Sequence, residues 1–122
     1  MSGAATHWPV ELRYVSAARV LEVDFDDGKS FALPAELLRV ESPSAEVRGH
    51  GGSQKQIVAG KQSVGIERIE AVGNYAARLV FDDGHDSGLY TWRYLRELGE
   101  TETKVWDAYL KALAAKGLSR ER

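Results

Sequence analysis

A chain of 122 residues is long enough to bury one hydrophobic core without staples, and 43% hydrophobic with 28% charged residues is the balance of an ordinary globular protein rather than a disordered one. The absence of cysteine excludes disulfides, thiolate nucleophiles and cysteine-ligated zinc or iron–sulfur clusters together. A formal net charge of −2 gives no reason to expect general nucleic-acid binding, and no apolar run approaches the length that spans a bilayer, so no membrane association is expected either.

Residues 1–8 read as a flexible lead-in that ends at Trp8-Pro9. The first residues have neither the basic start nor the apolar stretch of a secretory signal, which makes a cytoplasmic location the expectation. Glu11 to Val15 alternates polar and apolar side chains, as a half-buried strand does. Leu21–Phe25 and Phe31–Leu33 flank Asp27-Gly28, a strong hairpin signal, because a type I′ turn needs positive φ at both central residues. A short helix is predicted over 34–39, with Pro34 in its first turn. A long glycine-rich loop follows over 41–62, with a short strand at Gln56-Ile57-Val58. Ile66–Val72 is the next strand, Gly73-Asn74 a turn, and Tyr75–Tyr90 a second hairpin around Asp83-Gly84.

Thr91 is a plausible N-cap for a helix over 91–98 that Gly99 ends. A second helix is predicted over 102–116, with Val105, Trp106, Tyr109, Leu110 and Leu113 as its apolar stripe and Gly117 as its stop. Residues 118–122 read as a disordered tail. The phrase Phe-Asp-Asp-Gly occurs at 25–28 and again at 81–84, each followed about ten residues later by Leu-Arg, which points to two copies of one hairpin-helix unit. The fold class is therefore α+β: antiparallel strands from two hairpin-helix units, with C-terminal helices, in a single domain over 9–117.

Arg48, His50, Gln54, Lys55 and Lys61 intersperse glycines that let backbone N–H groups approach an anion, so this loop is the candidate binding segment. It lacks the spacing of a P-loop, and Gln62 stands where magnesium would need a hydroxyl. A solvated loop and a loop that orders against a protein partner are the other readings. Asp82, Asp83, His85 and Asp86 could crowd around a divalent cation; the plainer reading gives the carboxylates to the turn and directs His85 toward Ser42-Pro43-Ser44. Trp92, Tyr94, Trp106 and Tyr109 lie at helical spacing among leucines, which indicates packing rather than base stacking. No serine or histidine stands in a recognisable catalytic spacing, and none of the residues singled out is assigned a catalytic role.

Leu38 to Gly51, Gly73-Asn74-Tyr75 and Phe81 to Trp92 together resemble the gamma-butyrobetaine hydroxylase N-terminal-like domain family over roughly residues 9–99, most of all its bacterial stand-alone members, which have no assigned function. The resemblance implies a module that is also found fused to 2-oxoglutarate-dependent hydroxylases of carnitine synthesis and to P-loop iron–sulfur carrier ATPases, where the other domain carries the chemistry. In the hydroxylase members three cysteines and a histidine hold a structural zinc; those cysteines correspond to Ser42, Ser44 and Val47, and the histidine to His85. With three of four ligands replaced the zinc site is degenerate, and the expectation is a protein without metal or cofactor. The same resemblance implies a non-catalytic protein-binding or accessory module, with an iron–sulfur carrier ATPase or an oxygenase as partner. The alternative is a small-ligand or anion-binding protein that uses loop 48–61, with weak enzymatic activity.

Overall fold

The computed structural model describes residues 8–43 and 57–121. Two three-stranded antiparallel sheets follow one another along the chain, each a meander that runs straight into a helix. The first holds β1 (Pro9–Val15), β2 (Val20–Phe25) and β3 (Ser30–Pro34) and continues into α1 (Ala35–Val40). The second holds β4 (Ile66–Val72), β5 (Ala76–Phe81) and β6 (Leu89–Thr91) and continues into α2 (Trp92–Ala115). The α+β fold class and the duplicated unit are thus present, and the likeness reaches detail: each first strand is bulged opposite its neighbour, between Pro9 and Glu11 in one and between Ile66 and Arg68 in the other.

Alternation puts Leu21, Val23 and Phe25 on one face of β2, and all three are buried. They share one core with Leu33, Leu37 and Leu38 of the first unit and with Leu79, Phe81, Tyr90, Leu95 and Leu98 of the second. Both units therefore contribute side chains to the same core.

The two Asp-Gly turns differ from the type I′ turn expected of them. Only Gly28 (φ +89°) and Gly84 (φ +93°) are left-handed, while the preceding aspartates are not. Gly28 N donates to Phe25 O and Phe25 N to Lys29 O; Gly84 N donates to Phe81 O and Phe81 N to His85 O. This is the three-residue loop in which a type I turn is completed by one left-handed residue, so the sequence signal located the turn and misjudged its type by one residue.

The helix after the first hairpin begins at Ala35, with Pro34 as its N-cap. Ile57 and Val58 are not in a strand, and Gln56 lies outside the described residues. The predicted pair of helices over 91–98 and 102–116 is one helix, α2, bent at Thr101 (φ −117°, ψ 17°). Gly99 does not end it. A Cβ there would sit 2.5 Å from the ring of Phe31, so this glycine is a packing residue that lets β3 approach the helix. The bend has its own cause two residues later, where Thr101 Oγ1 donates to Glu97 O at 2.7 Å and competes with the helical ladder. At the other end Thr91 Oγ1 accepts from Tyr94 N at 3.0 Å, the N-cap the sequence suggested. Gly117 (φ +65°) closes a Schellman motif, with Leu118 N donating to Leu113 O and Gly117 N to Ala114 O. Of the apolar stripe, Tyr109 and Leu113 are buried and Leu110 is exposed.

Residues 118–121 are not the loose tail expected of them. Ser119 O accepts from Gly60 N at 2.9 Å and Arg120 O from Gln62 N at 3.0 Å. Among the described residues no helix is long and apolar enough to cross a membrane.

Candidate functional site

The turn of the second hairpin collects the polar groups of the first unit. Arg39 leaves α1 and donates from Nε to Asp83 Oδ2 at 2.8 Å; Lys61 donates to the same oxygen at 2.5 Å. Asp83 Oδ1 accepts from the backbone N–H of His85 at 3.1 Å. Burial alone would push the Asp83 carboxyl up, but the bonds from Lys61, from the His85 N–H and from Arg39 outweigh it and bring the group down to about 2. Arg39 Nη1 is buried and has no partner among the described residues.

His85 turns inward from the same turn, where its Nε2 lies 2.9 Å from Ser42 Oγ. Both residues are buried, Ser42 completely. Gly88 makes the approach feasible, since a Cβ at that position would collide with Ser42 Oγ. The bend after α1 is held from the second unit by two further bonds: Tyr90 donates to Leu38 O and Tyr94 to Glu41 O, each at 2.5 Å. Burial pushes the Tyr90 hydroxyl well above its ordinary value, so it acts as a neutral donor. Beside this cluster a cavity of about 480 Å³ is bounded by Gly60, Lys61, Ser63, Val64, Asp82 and Asp83.

The sequence singled out residues that the structure treats differently. Ser42, His85 and Lys61 converge on the Asp83 turn. Arg48, His50, Gln54 and Lys55, together with Ser44 and Val47, lie outside the described residues. The carboxylates once weighed as cation ligands are otherwise engaged: Asp83 with Arg39 and Lys61, and Asp86 with Arg78 at 3.4 Å. Among the described residues no three potential ligands converge on a metal position. Trp92 packs on the core and donates from its indole to Asn74 O, and Tyr109 donates to Val58 O, which bears out packing over stacking. Arg39 belongs to this site without any local motif of its own; its signal in the sequence is the repeated Leu-Arg pair, whose two arginines each reach the opposite turn.

Two bulged meanders, each handing its helix's arginine to the other's turn, define a small α+β domain of duplicated units. The chain belongs to the gamma-butyrobetaine hydroxylase-like N-terminal family, whose model matches residues 12–96. It is similar to two proteins with solved NMR structures, one 45% identical with a TM-score of 0.84 over 98% of this chain and 89% of that one, the other 44% identical with a TM-score of 0.82 over 96% and 92%. A crystal structure of a DUF971-family protein of unknown function from Acidithiobacillus ferrooxidans is 44% identical, with a TM-score of 0.64 over 75% of this chain and 91% of that one. No curated protein matches.

Proposed function

We propose that the protein is a non-catalytic, cytoplasmic protein-binding or accessory module that presents the 48–61 loop to a partner, an iron–sulfur carrier ATPase or an oxygenase by family resemblance. The observation that supports this reading is the anchoring of both ends of that segment on one turn. Ser42 is bonded to His85 on one side, Lys61 to Asp83 on the other, and Asp83 and His85 are two residues apart. Fixing the two ends of a connecting segment lowers the conformational entropy that binding a partner has to remove. Ser42, though bonded to a histidine, is completely buried and out of reach of a substrate, which favours binding over acyl-transfer chemistry. The test is a pulldown at physiological salt with wild type and with Arg48→Ala/His50→Ala. A stoichiometric partner that the double variant loses, with stability within about 0.5 kcal/mol of wild type, is the expected result. A partner retained by the variant refutes the reading.

A second reading, anion binding, is favoured by one specific feature: Arg39, whose Nη1 is buried and without a partner among the described residues, shares Asp83 with Lys61, and both Lys61 and Asp83 line the cavity. Phosphate or a nucleotide would then raise the melting temperature, the stabilisation growing as RT ln(1 + [L]/Kd) with its free concentration. Unchanged melting at millimolar phosphate refutes it.

A further inference from the structure

Among the described residues the segment after α2 is tied both to Gly60 and Gln62 and to α1. Ser119 O and Arg120 O accept from the amides of Gly60 and Gln62, the residues on either side of Lys61. Arg120 then reaches back to α1, where Nε donates to Glu36 Oε2 at 2.9 Å and Nη2 to Glu36 Oε1 at 2.8 Å. Glu36 is buried, and the guanidinium also lies 5.3 Å from the centroid of the Trp106 ring. A planar fork on a carboxylate and over an indole is a geometry that arginine satisfies and lysine does not.

We infer that residues 118–121 form a strap, clasped by Arg120 on Glu36, that holds Gly60–Gln62 in place and so keeps Lys61 on Asp83. Opening the strap leaves the core of Leu21, Leu79 and their neighbours packed, because among the described residues its bonds go to Gly60, Gln62, α1 and the end of α2 and not to the sheets. It frees the amides of Gly60 and Gln62 and lets Lys61 leave the ion pair. The closed strap therefore sets how firmly Gly60–Gln62 are fixed, whether or not a partner binds.

Native-state amide exchange by NMR tests this on the full chain, comparing wild type, Arg120→Ala and Arg120→Lys. In Arg120→Ala the Gly60 and Gln62 amides should exchange faster by about tenfold or more while those of Leu21 and Leu79 keep their rates, the pattern of a local rather than global opening. Arg120→Lys should recover little of the protection, and the Asp83 carboxyl should titrate higher in both variants as its bond from Lys61 weakens. Should the Arg120 change unfold the chain by leaving Glu36 buried and unpaired, Glu36→Gln/Arg120→Ala removes both charges and must show the same local pattern. Unchanged exchange at Gly60 and Gln62 in a folded variant overturns the strap, as does an equal rise at Leu21 and Leu79. Partner binding does not enter the readout, so this result and the pulldown can fail independently.

Discussion

Arg96 sets its two terminal nitrogens on the two carboxylate oxygens of Asp27, at 3.1 and 2.8 Å, across 69 residues of sequence. The exchange runs the other way from Arg39 to Asp83, so each unit's helix arginine is held by the other unit's turn. The two copies have diverged in how they finish the contact. At Arg96 the guanidinium stands 5.0 and 5.6 Å from the ring centroids of Phe25 and Phe31 and also binds Glu100, which closes that end. At Arg39 the aspartate is shared with Lys61, and one buried guanidinium nitrogen has no partner among the described residues. One copy is a closed structural clasp, whereas the other leaves a guanidinium nitrogen without a partner among the described residues.

This asymmetry predicts unequal costs. Arg96→Met removes a partly buried bidentate pair and two cation–π contacts and should destabilise by about 2–3 kcal/mol. Arg39→Met leaves Asp83 its lysine and should cost less, about 1–2 kcal/mol. Urea denaturation measures both. Equal losses, or a larger loss at Arg39, would contradict the assignment of the clasp to Arg96.

The sequence revealed those parts of the fold that local chemistry decides. Alternating apolar residues around Asp-Gly located both hairpins, and the threonine before Trp92 marked a helix start, because each depends on residues within a few positions of one another. Gly99 was misread for the opposite reason. By local propensity it is a helix stop, and only the ring of Phe31, far away in the chain, shows it to be a contact. Residues 118–121 look featureless until Glu36 is brought to them by folding. In the candidate site, His85 facing Ser42 was legible through the family resemblance, whereas the Arg39–Asp83–Lys61 cluster required the two units to be assembled.

The two glycines at the contacts between units should be intolerant for steric reasons. Alanine at Gly99 would gain about 1 kcal/mol of helix propensity, but its Cβ would lie 2.5 Å from Phe31, and overpacking of that kind typically costs about 1–3 kcal/mol. Gly99→Ala should therefore be destabilising on balance, and its cost should be smaller in a Phe31→Ala background, which removes the Cγ, Cδ1 and Cδ2 that the new Cβ would meet. Gly88→Ala should be destabilising through its collision with Ser42, with Ser42→Ala/Gly88→Ala milder than additivity of the single changes predicts. Additive double variants in thermal unfolding would show that the contacts relax without strain.

At the turn glycines the mechanism is different. A Cβ at Gly28 or Gly84 meets nothing within 4 Å, yet both residues are left-handed, at φ +89° and +93°. Replacement by alanine should cost about 1 kcal/mol at each position through backbone strain alone, with a similar value at both because the turns are alike. Valine should cost more, since branching at Cβ tightens the restriction. Neutral alanine variants at both positions would mean that the turns readily adopt another type.

The acid limb of stability should carry the signature of Asp83. Its carboxyl titrates near 2 in the folded protein against an ordinary value of 3.8. A carboxyl with a depressed folded value stabilises the protein fully above its unfolded value, and that contribution fades as the pH falls from about 4 to 2. With the group partly exposed and screened by solvent, the contribution is on the order of 1 kcal/mol. Asp83→Asn should therefore be less stable than wild type at pH 6, and the gap should narrow toward pH 2 as the wild-type carboxylate takes up its proton. Lys61→Met should act in the same direction through the same group, moving the Asp83 midpoint upward because the lysine bond is the strongest of those that hold it down. Urea midpoints measured across pH 2–7, with the carboxyl followed by NMR, give both quantities. A gap between wild type and Asp83→Asn that stays constant over that range would show that the aspartate contributes through turn geometry and not through its charge.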